Sequence, residues 1–134
     1  MSGEQNGVTT DFILNAIDLW RKEYYWRDEK VKLNQMPQFT TSIEAAGFGK
    51  LDMHFVHSRT SGSNTIPLLF LHGRPGSFAE VRKILPLLNE TGFDVVAPSL
   101  PGYGFSSYPE TAGFKHKYIA EMTNKLRLKL GYDE

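Results

Sequence analysis

Residues 66–77 read IPLLFLHGRPGS, an unbroken apolar run followed by a turn-forming segment. The apolar run, Ile66 to Leu71, is typical of a strand that is buried on both faces of a parallel sheet. The glycines and the proline of residues 72–77 then turn the chain. Apolar residues at helical spacing follow at positions 78, 81, 84, 85 and 88, and Pro86 is expected to bend or shorten this helix. The stretch therefore predicts a strand, a loop and a helix, which is the repeating unit of an α/β fold.

The same order of elements recurs towards the C-terminus. Residues 93–97 (FDVVA) predict a second buried strand, and residues 98–106 (PSLPGYGFS) a loop rich in glycine and proline. A final helix that ends at Gly131 is indicated by apolar residues at positions 118, 119, 122, 126 and 130. Two successive strand–helix units imply a parallel crossover with helices covering the sheet, so we predict the α/β class.

A different pattern occupies the N-terminal part of the chain. An amphipathic helix capped by Thr10 or Asp11 is indicated by apolar residues at positions 13, 16, 17, 20 and 24. Residues 27–33 suggest a second, shorter helix. Residues 39–44 and 51–57 are rich in β-branched and aromatic residues and predict two antiparallel strands.

Two regions are expected from this change of pattern. Residues 1–57 would form a helical N-terminal region with a strand pair, and residues 58–134 would form the α/β part of the chain. Residues 1–9 are small and polar, and we expect them to form a frayed end.

Composition excludes several classes of function. Fifteen basic and fifteen acidic residues cancel and no run of like charge occurs, so the basic surface of a nucleic-acid or anionic-membrane binder is missing. The sequence has no cysteine, which excludes a disulfide framework, a thiol nucleophile and a cysteine-ligated metal. No apolar stretch reaches the roughly 18 residues of a membrane span, and the polar N-terminus does not resemble a signal peptide. We expect a soluble, cytoplasmic protein.

The two predicted loops form the candidate site. Residues 72–77 and 98–106 each follow a buried parallel strand, so they meet at the carboxyl edge of the sheet, where α/β folds place ligand sites. Successive backbone N–H groups of residues 72–77 can face a developing negative charge, as in half of an oxyanion hole. The alternative is a tight strand-to-helix turn in which His72 bonds the local backbone, because turn chemistry alone accounts for every residue. A Walker-type phosphate loop is excluded, since no Gly-Lys-Ser/Thr follows.

Together these loops resemble the His-Gly-x-Pro and Gly-Tyr-Gly-x-Ser loops of α/β-hydrolases, and of epoxide hydrolases especially. Upstream residues resemble the N-terminal region of microsomal-type and fungal epoxide hydrolases: YWR at 25–27, Glu29, LN at 33–34, PQFTT at 37–41, HFVH at 54–57 and IPLL at 66–69. Esterases and dehalogenases share the two loops but not this N-terminal block, so an esterase is disfavoured. The resemblance covers nearly all of the chain and implies a partial α/β-hydrolase sheet preceded by a helical segment.

The resemblance also implies an activity, the hydrolysis of a small-molecule epoxide to a vicinal diol without a cofactor or a metal. In the family, an Asp on a strand-to-helix elbow attacks the epoxide and forms an alkyl-enzyme ester, while two tyrosines of a cap domain protonate the opening oxygen. A His paired with a carboxylate then activates the water that hydrolyses the ester. Relatives act on xenobiotic, juvenile-hormone-like or fungal natural-product epoxides, which suggests a detoxification or natural-product pathway.

Three site residues are assigned by this resemblance. The backbone N–H of Arg74 corresponds to one donor of the oxyanion hole. Pro75 corresponds to a proline that is usually cis and sets the geometry of the loop, and His72 supports the loop. Many relatives carry Trp where this chain has Arg74, so this wall of the pocket is expected to be polar.

The nucleophile of the family has no counterpart in the sequence. None of the six Asp residues lies in a Gly-x-Asp-x-Gly elbow, and no Gly-x-Ser-x-Gly occurs. Asp94 comes nearest, but it opens a strand, whereas an elbow closes one. The four histidines show no metal-ligand spacing; His54 and His57 are expected to be packing or surface residues, and His116 to be solvated at the start of a helix. We expect a truncated epoxide hydrolase that is inactive on its own.

An open sheet edge follows from the family's strand order. The fourth strand inserts between the second and the third, and the strand that would pair with the other side of residues 66–71 comes after Gly131. We therefore expect self-association through the edge strand Ile66 to Leu71, and marginal stability of the monomer. The alternative function is a non-catalytic interaction module, or pseudoenzyme fragment, that binds a partner at this open edge.

Overall fold

A four-stranded sheet organises the chain, of which the computed structural model describes residues 7–133. Its strands are β1 (Gln38–Ala45), β2 (Gly49–Ser58), β3 (Ile66–Leu69) and β4 (Phe93–Pro98). In space they lie in the order β1-β2-β4-β3, with β1–β2 and β2–β4 antiparallel and β3–β4 parallel. The predicted α/β class and the insertion of the fourth strand between the second and the third are therefore confirmed.

Helices flank this sheet and precede it. They are α1 (Thr10–Glu23), α2 (Trp26–Leu33), a 3₁₀ helix (Phe78–Lys83), α3 (Leu85–Glu90) and α4 (His116–Lys129). Thr9 caps α1, because its side-chain oxygen accepts the N–H of Phe12 at 3.2 Å. The cap predicted at Thr10 or Asp11 was wrong, and Thr9 does not belong to a frayed end. Most of the predicted frayed end, residues 1–6, lies outside the described residues.

The helix predicted after residue 77 consists of two pieces instead of one bent helix. Ser77 and Glu80 form a capping box that starts the 3₁₀ helix, and this helix ends at Lys83 with Ile84 as its C-cap. Pro86 then lies in the first turn of α3. Proline has no backbone N–H to donate to an earlier turn but is tolerated in the first turn of a helix, so the break comes before Pro86.

Two apolar clusters cover the two faces of the sheet. On one face, alternate residues of β2 pack with β1, β4 and α4; the buried members are Ile43, Ala45, Leu51, Met53, Phe55, Val96, Met122 and Leu126. On the other face, the 3₁₀ helix and α3 pack against β2 and β4; the buried members of this cluster are Met36, Val56, Phe78, Val81, Leu85, Val95 and Ala97. Both cores use the period-2 alternation of strands, which places His54 on the same face as Val56 and Phe78.

The strand β3 lies at the edge of the sheet and is more exposed than its sequence predicts. Ile66 is 56 % exposed, Leu69 is 37 % exposed and Leu71 is 50 % exposed. The strand also ends at Leu69, two residues before the end of the apolar run. The prediction of a strand buried on both faces is therefore wrong for the described residues, because only β4 flanks this strand.

Two compact units make up the described chain. One runs up to Lys32 and contains α1, and the other begins at Leu33 and contains the sheet with α3 and α4. The sequence regions 1–57 and 58–134 both contribute strands to this one sheet. Within residues 7–133, no helix is both long enough and apolar enough to span a membrane.

Candidate active site

Two loops meet at the carboxyl ends of the parallel strands. Loop 1 (residues 72–77) follows β3, and loop 2 (residues 99–107) follows β4. His72 joins them, because its Nε2 accepts the backbone N–H of Leu100 at 3.1 Å. An N–H can only donate, so the imidazole proton lies on Nδ1, which donates to the carbonyl oxygen of Gly73 at 3.0 Å. The buried His72 thus links the two loops, because one ring nitrogen bonds to Gly73 in loop 1 and the other to Leu100 in loop 2.

Tyr103 of loop 2 faces the side chains of loop 1. Its ring centroid lies 5.2 Å from that of His72, in an edge-on arrangement. The guanidinium carbon of Arg74 lies 5.9 Å from the same centroid, within the range of a cation–π interaction. The exposed Arg74 side chain therefore extends towards Tyr103 of loop 2.

The backbone of loop 1 presents an unused donor. Within residues 7–133, no hydrogen-bond acceptor is found for the backbone N–H of Arg74 or for those of Gly73 and Gly76. The peptide bond between Arg74 and Pro75 is cis. Behind the loop, the N–H of Ser77 donates to a carboxylate oxygen of Glu80 at 3.1 Å. The bond between Ser77 and Glu80 thus joins loop 1 to the 3₁₀ helix, while the backbone N–H of Arg74 remains available to another group.

Glycines allow loop 2 to fold tightly against the sheet. Gly104 has a φ of +55°, in the left-handed region that favours glycine. A Cβ at this position would lie 2.5 Å from the Oγ of Ser99 and 3.3 Å from a ring carbon of Phe78. Gly102 has a φ of +85°, and a Cβ there would lie 2.8 Å from the ring of Tyr108. Glycine at both positions is therefore required by backbone conformation and by space.

A buried polar cluster lies beneath the loops. The Nδ1 of His54 lies 2.8 Å from the Oγ of Ser99, and its Nε2 lies 3.0 Å from the Oε1 of Gln38. Burial lowers the pKa of His54 from its ordinary value of 6.5. The sequence indicated only a packing or surface role for His54. The alternation of β2 gave no signal for it, because Lys50, Asp52 and Ser58 share this face of the strand with His54 and only Val56 is apolar.

The remaining candidate acid and bases lie away from the loops. Asp94 is buried near the start of β4, where it accepts the backbone N–H of Thr60 at 2.7 Å and the hydroxyl of Thr65 at 3.0 Å. His57 is bonded to the hydroxyl of Tyr132 at 2.9 Å. Asp94 is thus a structural acceptor at the strand's opening, which agrees with its exclusion as an elbow nucleophile.

Two further histidines differ in their surroundings: His57 on β2 is partly buried, whereas His116 is exposed. The pKa of His57 is lowered, mainly by burial and further by the charge of Arg59, while Asp94 opposes this shift. His116 is the first residue of α4 and is solvent-exposed, as predicted. Among residues 7–133, no three His, Asp or Glu side chains converge as metal ligands would.

Comparison with known proteins extends the resemblance across the chain. A family model described as "Epoxide hydrolase N terminus" matches residues 1–81, and one described as "alpha/beta hydrolase fold" matches residues 66–134. The chain is 38 % identical to Epoxide hydrolase 1 of Sus scrofa over 96 % of its length, and 36 % identical to Juvenile hormone epoxide hydrolase 1 of Ctenocephalides felis over 94 %. It spans only 30 % and 28 % of these two relatives.

Solved structures give the same result. The epoxide hydrolase of Aspergillus niger superposes with a TM-score of 0.79 at 36 % identity, over 93 % of this chain and 33 % of that one. The juvenile hormone epoxide hydrolase of Bombyx mori also superposes with a TM-score of 0.79, at 32 % identity over 96 % of this chain and 31 % of that one. The two loops therefore lie in a part of the fold that the chain has in common with these proteins.

Proposed function

Because the chain belongs to the epoxide hydrolase family of the α/β-hydrolase superfamily, as its N-terminal region, we propose that loops 1 and 2 form one wall of an epoxide hydrolase active site. The observation that carries this proposal is the His72 link, which holds loop 2 against loop 1 beside the backbone N–H of Arg74. Within residues 7–133 this N–H, like those of Gly73 and Gly76, has no acceptor. An N–H held in this way can donate to an oxygen that gains negative charge during a reaction.

The chemical step served by this N–H is the hydrolysis of an ester. In the family mechanism, attack of water on the alkyl-enzyme ester converts the ester carbonyl into a tetrahedral oxyanion, which a nearby N–H stabilises. Arg74 supplies that donor, Pro75 sets the direction of the loop, and His72 holds loop 1 against loop 2. The substrate is a small-molecule epoxide and the product a vicinal diol.

The nucleophile of this reaction is not among the 134 residues. They contain no Gly-x-Asp-x-Gly sequence, and Asp94 is engaged by Thr60 and Thr65. We therefore expect the 134-residue polypeptide to form no diol by itself. Diol formation would require the further residues that make up about 70 % of the curated relatives, since the chain spans 30 % of Epoxide hydrolase 1. A cytoplasmic location stays a prediction that fractionation of source cells would test.

Removal of the backbone donor tests the role of Arg74 in an active enzyme. In a polypeptide of the source cells that contains residues 7–133 and hydrolyses epoxides, Arg74→Pro removes the N–H, whereas Arg74→Ala keeps it. We expect kcat to fall about 100-fold to 1,000-fold with proline and far less with alanine. Equal losses in the two variants would refute the donor role. A thermal melt of each variant shows whether loop 1 still folds.

A second function, association through the sheet edge, is supported by the exposure of β3. The N–H groups of Ile66 and Phe70 are directed to β4, so the N–H of Leu69 points away from the sheet by alternation. Leu69 also lines an apolar groove together with Val96 and Tyr132. An unpaired strand with apolar side chains pairs readily with another strand, and here the partner would be a second copy of this chain.

A further inference from the structure

A chain of hydrogen bonds crosses the interior from Leu33 to loop 2. The Nε2 of Gln38 donates to the carbonyl oxygen of Leu33 at 2.7 Å, and the Oε1 of Gln38 lies 3.0 Å from the Nε2 of His54. The Nδ1 of His54 lies 2.8 Å from the Oγ of Ser99. His54 is only 4 % exposed and Ser99 is fully buried, so water does not compete for the bond between these two side chains, whereas Gln38 and Leu33 are half-buried.

The direction of each bond follows from the carbonyl at one end. The oxygen of Leu33 can only accept, which orients the Gln38 amide with its nitrogen towards Leu33 and its oxygen towards His54. Nε2 of His54 must therefore carry the proton and donate, and Nδ1 must accept. Ser99 then donates its hydroxyl proton to Nδ1. This arrangement needs a neutral imidazole of one defined tautomer.

His54 holds both ends of loop 2. Its backbone oxygen accepts the N–H of Ser99 at 2.8 Å, and its backbone N–H donates to the Oγ of Ser106 at 2.9 Å. The Oγ of Ser106 in turn donates to the carbonyl oxygen of Ser99 at 2.7 Å, which closes the loop at its base. The imidazole thus completes a set of bonds that fixes where loop 2 leaves the sheet and where it returns.

The same ring also contacts the element that follows loop 1. Its centroid lies 4.6 Å from that of Phe78, the first residue of the 3₁₀ helix, and 5.1 Å from that of Phe105 in loop 2. Neither neighbour can balance a positive charge on the imidazole as a carboxylate would. No titratable side chain of β1, β4 or the 3₁₀ helix is found in contact with His54 within residues 7–133. The nearest acid on its own strand face, Asp52, is solvent-exposed.

We propose that His54 is a positioning residue whose neutral imidazole clamps loop 2 against the sheet, and that its protonation loosens this clamp. A proton on Nδ1 turns this nitrogen from an acceptor into a donor, so the Ser99 hydroxyl must rotate to accept it, and the buried hydroxyl proton then loses its acceptor. The backbone bonds from His54 to Ser99 and Ser106 remain, so the hold on loop 2 weakens at the Ser99 side chain. Leu100, the next residue, is the one that His72 binds, so a weaker hold on Ser99 also affects the link to loop 1. The consequence for catalysis rests on the proposed function.

Nuclear magnetic resonance of the 134-residue protein tests the clamp without any activity. We expect imidazole nitrogen shifts that place the His54 proton on Nε2 at neutral pH. We also expect the amide resonances of residues 99–107 to move with the His54 titration, at a pKa below 6.5. A His54 proton on Nδ1, or loop 2 resonances that ignore the His54 titration, would overturn the proposal.

Two matched variants separate the clamp from general acid effects. His54→Asn retains a side-chain oxygen near the position of Nδ1 but cannot titrate, so the pH dependence of the loop 2 resonances should vanish. His57→Asn changes the other titrating histidine of β2 and should leave that dependence intact. If His54→Asn does not fold, Ser99→Ala serves instead; it frees Nδ1 and should raise the pKa of His54. An unchanged or lower pKa in Ser99→Ala would contradict the clamp.

An activity measurement links the clamp to the reaction. In a source-cell polypeptide that contains these residues and hydrolyses epoxides, the acid limb of kcat/KM should follow the pKa of His54 and disappear in His54→Asn. If loop 2 follows the titration of His54 in a polypeptide that does not hydrolyse epoxides, the clamp is supported and the proposed function is rejected. Hydrolysis with an acid limb that His54→Asn does not alter would reject the link between the clamp and catalysis.

Discussion

Gly104 shows how a single residue fixes the shape of the candidate site. Its φ is +55°, and a Cβ at this position would lie 2.5 Å from the Oγ of Ser99, which leaves no room for a side chain. Ser99 in turn is the partner of His54. The tight loop at residues 99–107 and the buried histidine beneath it are therefore one structural unit, and a change at Gly104 reaches His54 through one intervening side chain.

We expect Gly104→Ala to lower the free energy of unfolding by about 1–3 kcal/mol, because it adds backbone strain and a clash. Gly113→Ala is the control for strain alone, since Gly113 has a φ of +102° but no atom within 4 Å of a Cβ. It should cost about 1 kcal/mol. Urea unfolding measures both. A loss for Gly104→Ala no larger than that for Gly113→Ala would contradict the close approach to Ser99.

The two histidines of β2 predict how stability depends on pH. Burial lowers the pKa of both His54 and His57 from 6.5, so the unfolded chain binds protons at a higher pH than the folded chain does. Their contribution to stability is fully present above pH 6.5 and is lost as the pH falls through that value towards the folded pKa values. Urea unfolding at about pH 7.5 and about pH 5.5 should show this loss. The double variant His54→Asn, His57→Asn should lose less stability over the same range, and an equal loss would count against this origin of the pH dependence.

At the level of single residues, the sequence predicted part of the site. The motif around residues 72–77 drew attention to His72, Arg74 and Pro75, and the structure brings His72 and Arg74 together with Tyr103. Their roles in catalysis stay predictions. His54 was not assigned a role, because a histidine in a strand carries no sequence signal for partners that lie 16 and 45 residues away.

The elements themselves were predicted from hydrophobic periodicity, which reports burial directly. β1, β2, β4 and α4 were predicted within two residues of their observed bounds, because their apolar residues face two well-formed cores. The break before α3 was placed incorrectly, since Pro86 can either bend a helix or start one. The exposure of β3 could not be deduced from its composition, because an apolar strand has the same sequence at an edge as at the centre.

The packing of α4 on the sheet gives a prediction about a whole element. Leu126 is fully buried against the sheet, whereas Leu128 of the same helix is 48 % exposed. We expect Leu126→Ala to lower the free energy of unfolding by about 2–5 kcal/mol through lost burial and a cavity. Leu128→Ala should change it by less than about 0.5 kcal/mol. Similar losses in both variants would mean that α4 does not pack as described.

The edge strand β3 predicts the behaviour of the chain at high concentration. Leu69→Lys places a charge on the open edge and should reduce self-association, because unpaired edges are protected by lysine in natural sheets. Leu87→Lys is the control, since Leu87 is 60 % exposed but lies on α3, away from this edge. Sedimentation velocity over a range of concentrations compares them. Association that Leu69→Lys leaves unchanged would show that β3 is not the contact.

The whole molecule combines a well-packed sheet interior with one strand that only β4 protects. The two apolar cores bury residues from every strand except β3. We therefore expect a marginally stable monomer. A cooperative thermal transition of the purified 134-residue chain at high temperature would contradict this expectation.

The relatives are about three times as long as this chain, and this difference bears on which polypeptide is expected to be catalytic. The chain spans about 30 % of the curated relatives, and the part it covers contains loop 1, for which we propose the oxyanion role, but no Gly-x-Asp-x-Gly sequence. We therefore expect epoxide hydrolysis to belong to a polypeptide that includes residues 7–133 together with the elements that follow them in the family order.

Diol formation by the polypeptide that carries these residues in its source cells is the decisive measurement. An antibody against residues 10–33 would recover that polypeptide, and mass spectrometry would report its intact mass and the diol formed from alkyl, aryl and terpenoid epoxides. We predict a species heavier than 15.2 kDa that forms diol, while the purified 134-residue chain forms none. A 15.2 kDa chain that forms diol on its own, or a heavier species that hydrolyses none of these epoxides, would contradict the proposed function.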